Sequence, residues 1–142
     1  MPSAKSTPKL FTLDEANLML PLVRAIVSDV AQLAVLIQER RERLASLKGD
    51  KRRRNDDIYA DELTQIEQEV DRDIEQLQEY VAELNALGIE LKSAIDGLID
   101  FPAEMDGRVV YLCWKLGEPE VAHWHELDAG FAGRQPLTSD LF

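Results

Sequence analysis

Residues 61–87 read DELTQIEQEVDRDIEQLQEYVAELNAL, and the spacing of their apolar side chains decides the fold. Leu63, Ile66, Val70, Ile74, Leu77, Val81, Leu84 and Leu87 recur in steps of three and four, which lines them along one face of an α-helix. Gly88 follows as a left-handed cap, so the spacing predicts one long helix over 57–88. Upstream, Val23, Ile26, Val30, Leu33, Ile37, Leu44 and Leu47 form a matching seam, broken only by Arg40 and ended by Gly49. Folded back antiparallel, Leu47 falls near Leu63, Leu44 near Ile66 and Val23 near Leu87. Arg40 then faces Val70 within reach of Glu69 or Asp73, a snorkelling side chain paired at the seam edge. The two stripes predict a long antiparallel helical hairpin with coiled-coil spacing.

The start of the first helix is written just upstream. Thr12-Leu13-Asp14-Glu15 fits a capping box, with both acids at the positive end of the helix dipole. Pro21 predicts either a kink or a short helix followed by a longer one, within a helical region spanning 11–48. Residues 1–10 read as a flexible tail. Lys51, Arg52, Arg53 and Arg54 lie in a basic loop over 49–56, a solvated turn before it is a phosphate site.

Beyond Gly88 the period changes from helical to alternating. Ile89–Lys92 and Leu98–Phe101 are candidate strands, the second stopped by Pro102. Asp106-Gly107 signals a tight turn, and 108–115, rich in β-branched and aromatic residues, is the clearest strand. Leu116-Gly117-Glu118-Pro119 reverses the chain again, and 120–126 returns. The expected result is a single α+β domain over 1–142. In it the helical hairpin carries a small antiparallel β-meander of about three strands over 89–126, followed by a closing loop over 127–142.

Composition narrows the function. The 142 residues carry 27 acids against 16 bases, a formal net charge of -11, which disfavours nucleic acid and anionic membrane surfaces as partners. Cys113 is the single cysteine, so no internal disulfide forms and a reducing, cytoplasmic setting is expected. No uninterrupted apolar run reaches the ~18 residues of a membrane span. Between Asp61 and Leu87 there are nine acids and one base, a solvated face. Whether the hairpin also pairs with a second copy, as a homodimer with a four-helix bundle, stays open here.

The groups able to do chemistry gather near the end: His123, Trp124, His125, Glu126, Asp128, Phe131 and Arg134. On a strand His123 and His125 project to one side. With Asp128 or Glu118 they make a three-ligand set for a divalent metal such as zinc, leaving a position for an activated water. A second arrangement is a small-ligand pocket. Trp114, Trp124, Tyr111 and Phe131 would wall it, Arg134 would grip an anion, and His125 with Asp128 would handle a proton. Against both stands plain packing, with the aromatics in the core and Arg134 in an ion pair. Cys113, mid-strand with no activating base beside it in sequence, reads as an inert buried thiol.

Several stretches resemble one bacterial family. They are Phe-Thr-Leu-Asp-Glu-Ala-Asn at 11–17, Asp-Phe-Pro at 100–102, Tyr-Leu-Cys-Trp-Lys-Leu-Gly-Glu-Pro-Glu at 111–120, and Trp-His-Glu-Leu-Asp-Ala-Gly-Phe-Ala-Gly-Arg-Gln-Pro at 124–136. The family is the domain of unknown function numbered 2203. The resemblance covers nearly the whole chain and implies no activity or catalytic residues. The family motif takes in Trp124, His125, Asp128, Gly130, Arg134 and Pro136, while His123 stands outside it.

Two classes of function remain. The default is a non-enzymatic interaction or scaffold protein, because no complete catalytic set is present. The alternative is a small metal- or ligand-binding protein, hydrolytic if it is catalytic. Its site would be built from Trp124, His125, Asp128 and Arg134, with His123, His125 and Asp128 as the metal ligands.

Overall fold

The computed structural model describes residues 9–49 and 57–138. The expected flexible tail and basic loop lie almost wholly outside the described residues. Helix α1 (Leu13–Lys48) starts where the capping box predicts. The Thr12 hydroxyl accepts from the Glu15 amide at 3.0 Å, and the Glu15 carboxylate accepts from the Thr12 amide at 2.8 Å. The helix then runs unbroken for 36 residues with Pro21 inside it, so the expectation of two separate helices is corrected. Pro21 is exposed.

Helix α2 (Asp57–Ala86) returns along α1. Near the tip Leu47, Tyr59, Ile66 and Val70 pack together with Leu44, Leu63 and Ile74 at their margin, as the stripe register requires. The Tyr59 hydroxyl donates to the Leu47 carbonyl. Arg40 reaches Glu69 at 3.2 Å and also pairs with Asp73. At the other end Gly88 adopts φ 88°, the Gly88 amide donates to Asn85 O and the Ile89 amide to Leu84 O. This pair of bonds satisfies the last carbonyls of the helix and folds Ile89 back onto Leu84, both fully buried.

Five strands follow as a simple antiparallel meander, in the order β1 (Glu90–Ser93), β2 (Leu98–Met105), β3 (Arg108–Lys115), β4 (His123–His125) and β5 (Gln135–Pro136). Asp106 and Gly107, at φ 53° and 77°, make the two-residue turn between β2 and β3. Two strand expectations need correction. First, Pro102 does not stop β2; it pairs with Tyr111 in the middle of the ladder. Its carbonyl accepts from the Phe11 amide at 2.7 Å, on the edge that β1 leaves uncovered beyond Asp100. The missing proline donor points to that same edge, so no bond to β3 is lost. Second, β5 lies inside the expected closing loop. It is two residues long with both side chains exposed, too short to show alternation in the sequence.

The sheet lays one face on the base of the hairpin. Ile99, Phe101, Val110, Leu112, Trp114 and Trp124 meet Val23, Val27 and Leu84 in the main core. Asn17 of α1 clamps Val121 at both backbone groups, accepting from its amide at 2.7 Å and donating to its carbonyl at 3.3 Å. By length and composition alone α1 would qualify as a membrane span, with mean hydropathy 1.8 over 18 residues. Arg24 and Asp29 interrupt its apolar run. Of that window 39% is buried against the rest of the chain, while Leu18 and Leu22 remain 81% and 54% exposed.

Candidate functional site

Strand alternation sends Asp100, Tyr111, Cys113, His123 and His125 to the face turned away from the helices. Register then decides which of them meet. Asp100 lies opposite Cys113, and Cys113 opposite His123; Tyr111 lies opposite His125. A row of polar groups thus crosses the sheet, partly buried at Tyr111 and His123 and fully buried between them. Asp100 and His125 are each only 2% exposed and Cys113 is fully buried.

The hydrogen bonds around His125 constrain its protons. Nδ1 lies 2.7 Å from the Glu126 carbonyl oxygen, which can only accept, so Nδ1 carries a hydrogen. Nε2 lies 3.0 Å from Asp100 Oδ1. One proton must sit between them, either as imidazolium beside carboxylate or as neutral imidazole beside carboxylic acid. The pair carries no net charge in both cases, which is how a buried acid and base coexist at low cost. Burial pushes the Asp100 carboxyl above its ordinary value, opposed by the charge and hydrogen bond of His125 and by a hydrogen bond with Cys113. Burial, reinforced by the Asp100 charge, also pushes the Cys113 thiol up to about 11. At neutral pH it is therefore a thiol.

Arg134 closes the other end of the row. Its guanidinium makes a two-pronged ion pair with Glu118, places Nη1 3.9 Å from Cys113 Sγ, and stacks 4.3 Å from the Phe131 ring centre. Burial resists ionisation of Glu118. The Arg134 hydrogen bonds, the Lys115 amide and the Arg134 charge outweigh it and hold the carboxyl below its ordinary value. Glu126 is held at the rim by Arg108 through contacts of 3.1 and 2.6 Å. Beside His125, Tyr111 donates to the Glu90 carboxylate, and Lys92 lies over its ring.

The residues singled out from the sequence are dispersed by this geometry. His125 adjoins the row through Asp100, and Arg134 through Cys113. Trp124, next to His125 in the chain, points through the sheet into the helix-side core. Asp128 is exposed on the turn after β4 and does not join the His125 cluster. His123 lies across from Cys113, and its buried Nδ1 has no partner among the described residues; nor has Trp124 Nε1. What occupies the expected place of Asp128 is Asp100, together with Cys113. Their ligand atoms and that of His125 all lie within 4.8 Å of one another. The signal that could have found them is ladder register: once β2 is carried through Pro102, Asp100, Cys113 and His123 fall in one row.

Fold and site together define an α+β protein with a helical arm and a sheet whose outer face buries a polar row. The chain belongs to the uncharacterised conserved protein family DUF2203, whose profile matches residues 9–137. Comparison with curated proteins and with solved structures finds no match.

Proposed function

We propose that this protein is a non-enzymatic interaction module whose hairpin receives a second copy of the same chain. One observation carries the reading: a groove of about 470 Å³, walled by Ala34, Ile37, Ala45, Leu77 and Ile95 together with Gln38, Arg41 and Glu42, continuing along α2 past Ile74 and Val81. The face of α1 that packs on the sheet at Ala16, Leu20, Val23 and Val27 carries on, in the same three-and-four steps, as Ala31, Ala34, Gln38, Arg41 and Ala45. Ile95, at the turn between β1 and β2, marks where the sheet stops covering it. The open side of this groove is where a second copy would seat.

Charge selects a second copy as the occupant. Helix α2 carries ten acids and one base. Of the bases near the tip of α1, Arg40, Arg43 and Lys48 already pair with Glu69, Asp73, Glu62 and Glu67 of the same chain. Arg41 instead lines the groove, and Asp71 and Glu75 are exposed on α2. An antiparallel partner hairpin brings each Arg41 toward the partner's acidic helix and completes a four-helix bundle.

Sedimentation of the full chain tests this. A dimer is expected, weakened about tenfold by Arg41→Glu, about 1.4 kcal/mol, with recovery in Arg41→Glu combined with Glu75→Arg. A monomer at all concentrations up to millimolar ends the reading.

A further inference from the structure

We infer that Asp100, Cys113 and His125 form a binding site for one divalent transition-metal ion of the zinc class. The three side chains come from three adjacent strands, project from the same face of the sheet, and are all buried, with ligand atoms within 4.8 Å of one another. Zinc bonds of about 2.0–2.3 Å place tetrahedral ligands about 3.3–3.8 Å apart. Closing the set therefore takes side-chain adjustment, with no strand displaced. Nitrogen, sulfur and carboxylate oxygen together suit zinc or cobalt, and the thiolate disfavours magnesium and calcium.

The neighbours are arranged as a metal site needs. The Nδ1 hydrogen of His125 is committed to the Glu126 carbonyl, which turns Nε2 inward, the orientation of metal-bound imidazoles. Arg134, fixed by Glu118, sits against the Cys113 sulfur and would support a thiolate there. His123, directly across from Cys113, adds a buried Nδ1 that has no partner among the described residues, a candidate donor for a fourth bond.

The charge balances. Without metal the cluster holds two protons, one on the thiol and one shared between His125 and Asp100. A dication entering releases both to solvent, leaving thiolate, carboxylate and neutral imidazole around a 2+ ion. The buried charge is unchanged, so the loaded site holds no uncompensated charge.

The test uses the full chain, stripped with chelator and titrated with cobalt(II). Expected is about one cobalt per chain, with a thiolate-to-cobalt charge-transfer band, the strong visible bands of a four-coordinate ion, and a raised thermal midpoint. Zinc should displace it. Cys113→Ser, checked for native circular dichroism, should lose the charge-transfer band, and Asp100→Asn should lower the affinity at least tenfold. Should either variant fail to fold, zinc-edge X-ray absorption on the wild-type protein decides the matter, since one sulfur neighbour is required. A natively folded chain that takes up no cobalt, cobalt bound without a thiolate band, or zinc without a sulfur neighbour overturns the site. A hydrogen-bonded lock that never holds an ion gives the first of these results.

Discussion

Trp124 and His125 are neighbours in the chain and live in opposite environments. One indole enters the apolar core under the helices; the imidazole beside it joins a buried polar row on the other side of the same sheet. The helix side is close-packed with valine, leucine and aromatic side chains, where stability comes from area removed from water. The outer side is just as dry at its centre, yet stable only if each donor and acceptor is matched. Groups on the second face that must be paired with one another could equally be re-paired by a ligand or an ion.

Substitutions should separate the two faces. Trp114→Ala, on the helix side and fully buried, is expected to cost most, about 3–5 kcal/mol, measured by urea unfolding; a loss under about 1 kcal/mol would deny the core its role. On the outer side Asp100→Ala strands the His125 Nε2 hydrogen bond and should cost about 3 kcal/mol. Asp100→Asn, which retains a hydrogen-bonding group, should cost less. Equal costs for the two would mean that a neutral amide cannot replace the carboxylate beside His125, so that the charge itself makes the pairing.

The smallest effect is expected in Glu118→Gln and is best read against pH. The folded Glu118 carboxyl titrates below the ordinary 4.5, so the unfolded chain binds its proton more readily. Its contribution is complete above that value and is lost as pH falls through the lower folded one. Glu118→Gln should flatten this acid limb of the stability curve. Asp100, whose carboxyl is raised by burial, has the opposite sign: its contribution is present below 3.8 and declines as pH rises through its folded value. An unchanged acid limb in Glu118→Gln would show that the Arg134 ion pair does not stabilise the closing segment.

The features legible before any coordinates were those set by local rules. The Thr12–Glu15 box, the Gly88 cap and the Asp106-Gly107 turn each follow from residues within a few positions of one another. The register of the hairpin was legible too, because a helical stripe can be matched to another stripe by counting from the turn, and Arg40 duly met Glu69 and Asp73. Pro102 misled because a proline's effect on a strand depends on which edge it faces. The strand β5 was hidden because two residues hold no period. Asp128 drew attention by its closeness in sequence to His125, whereas Asp100 lay out of view 25 residues away.

The amino-acid sequence by itself determined the helices, their ends, their pairing and the alternation of the strands, since those follow from backbone hydrogen bonding and apolar periodicity over short spans. Only the tertiary structure decided which polar groups share the outer face of the sheet. Cross-strand register sets Asp100 opposite Cys113 and places His125 on the next strand within reach of Asp100, across separations that no local pattern encodes, and burial then forces them to satisfy one another.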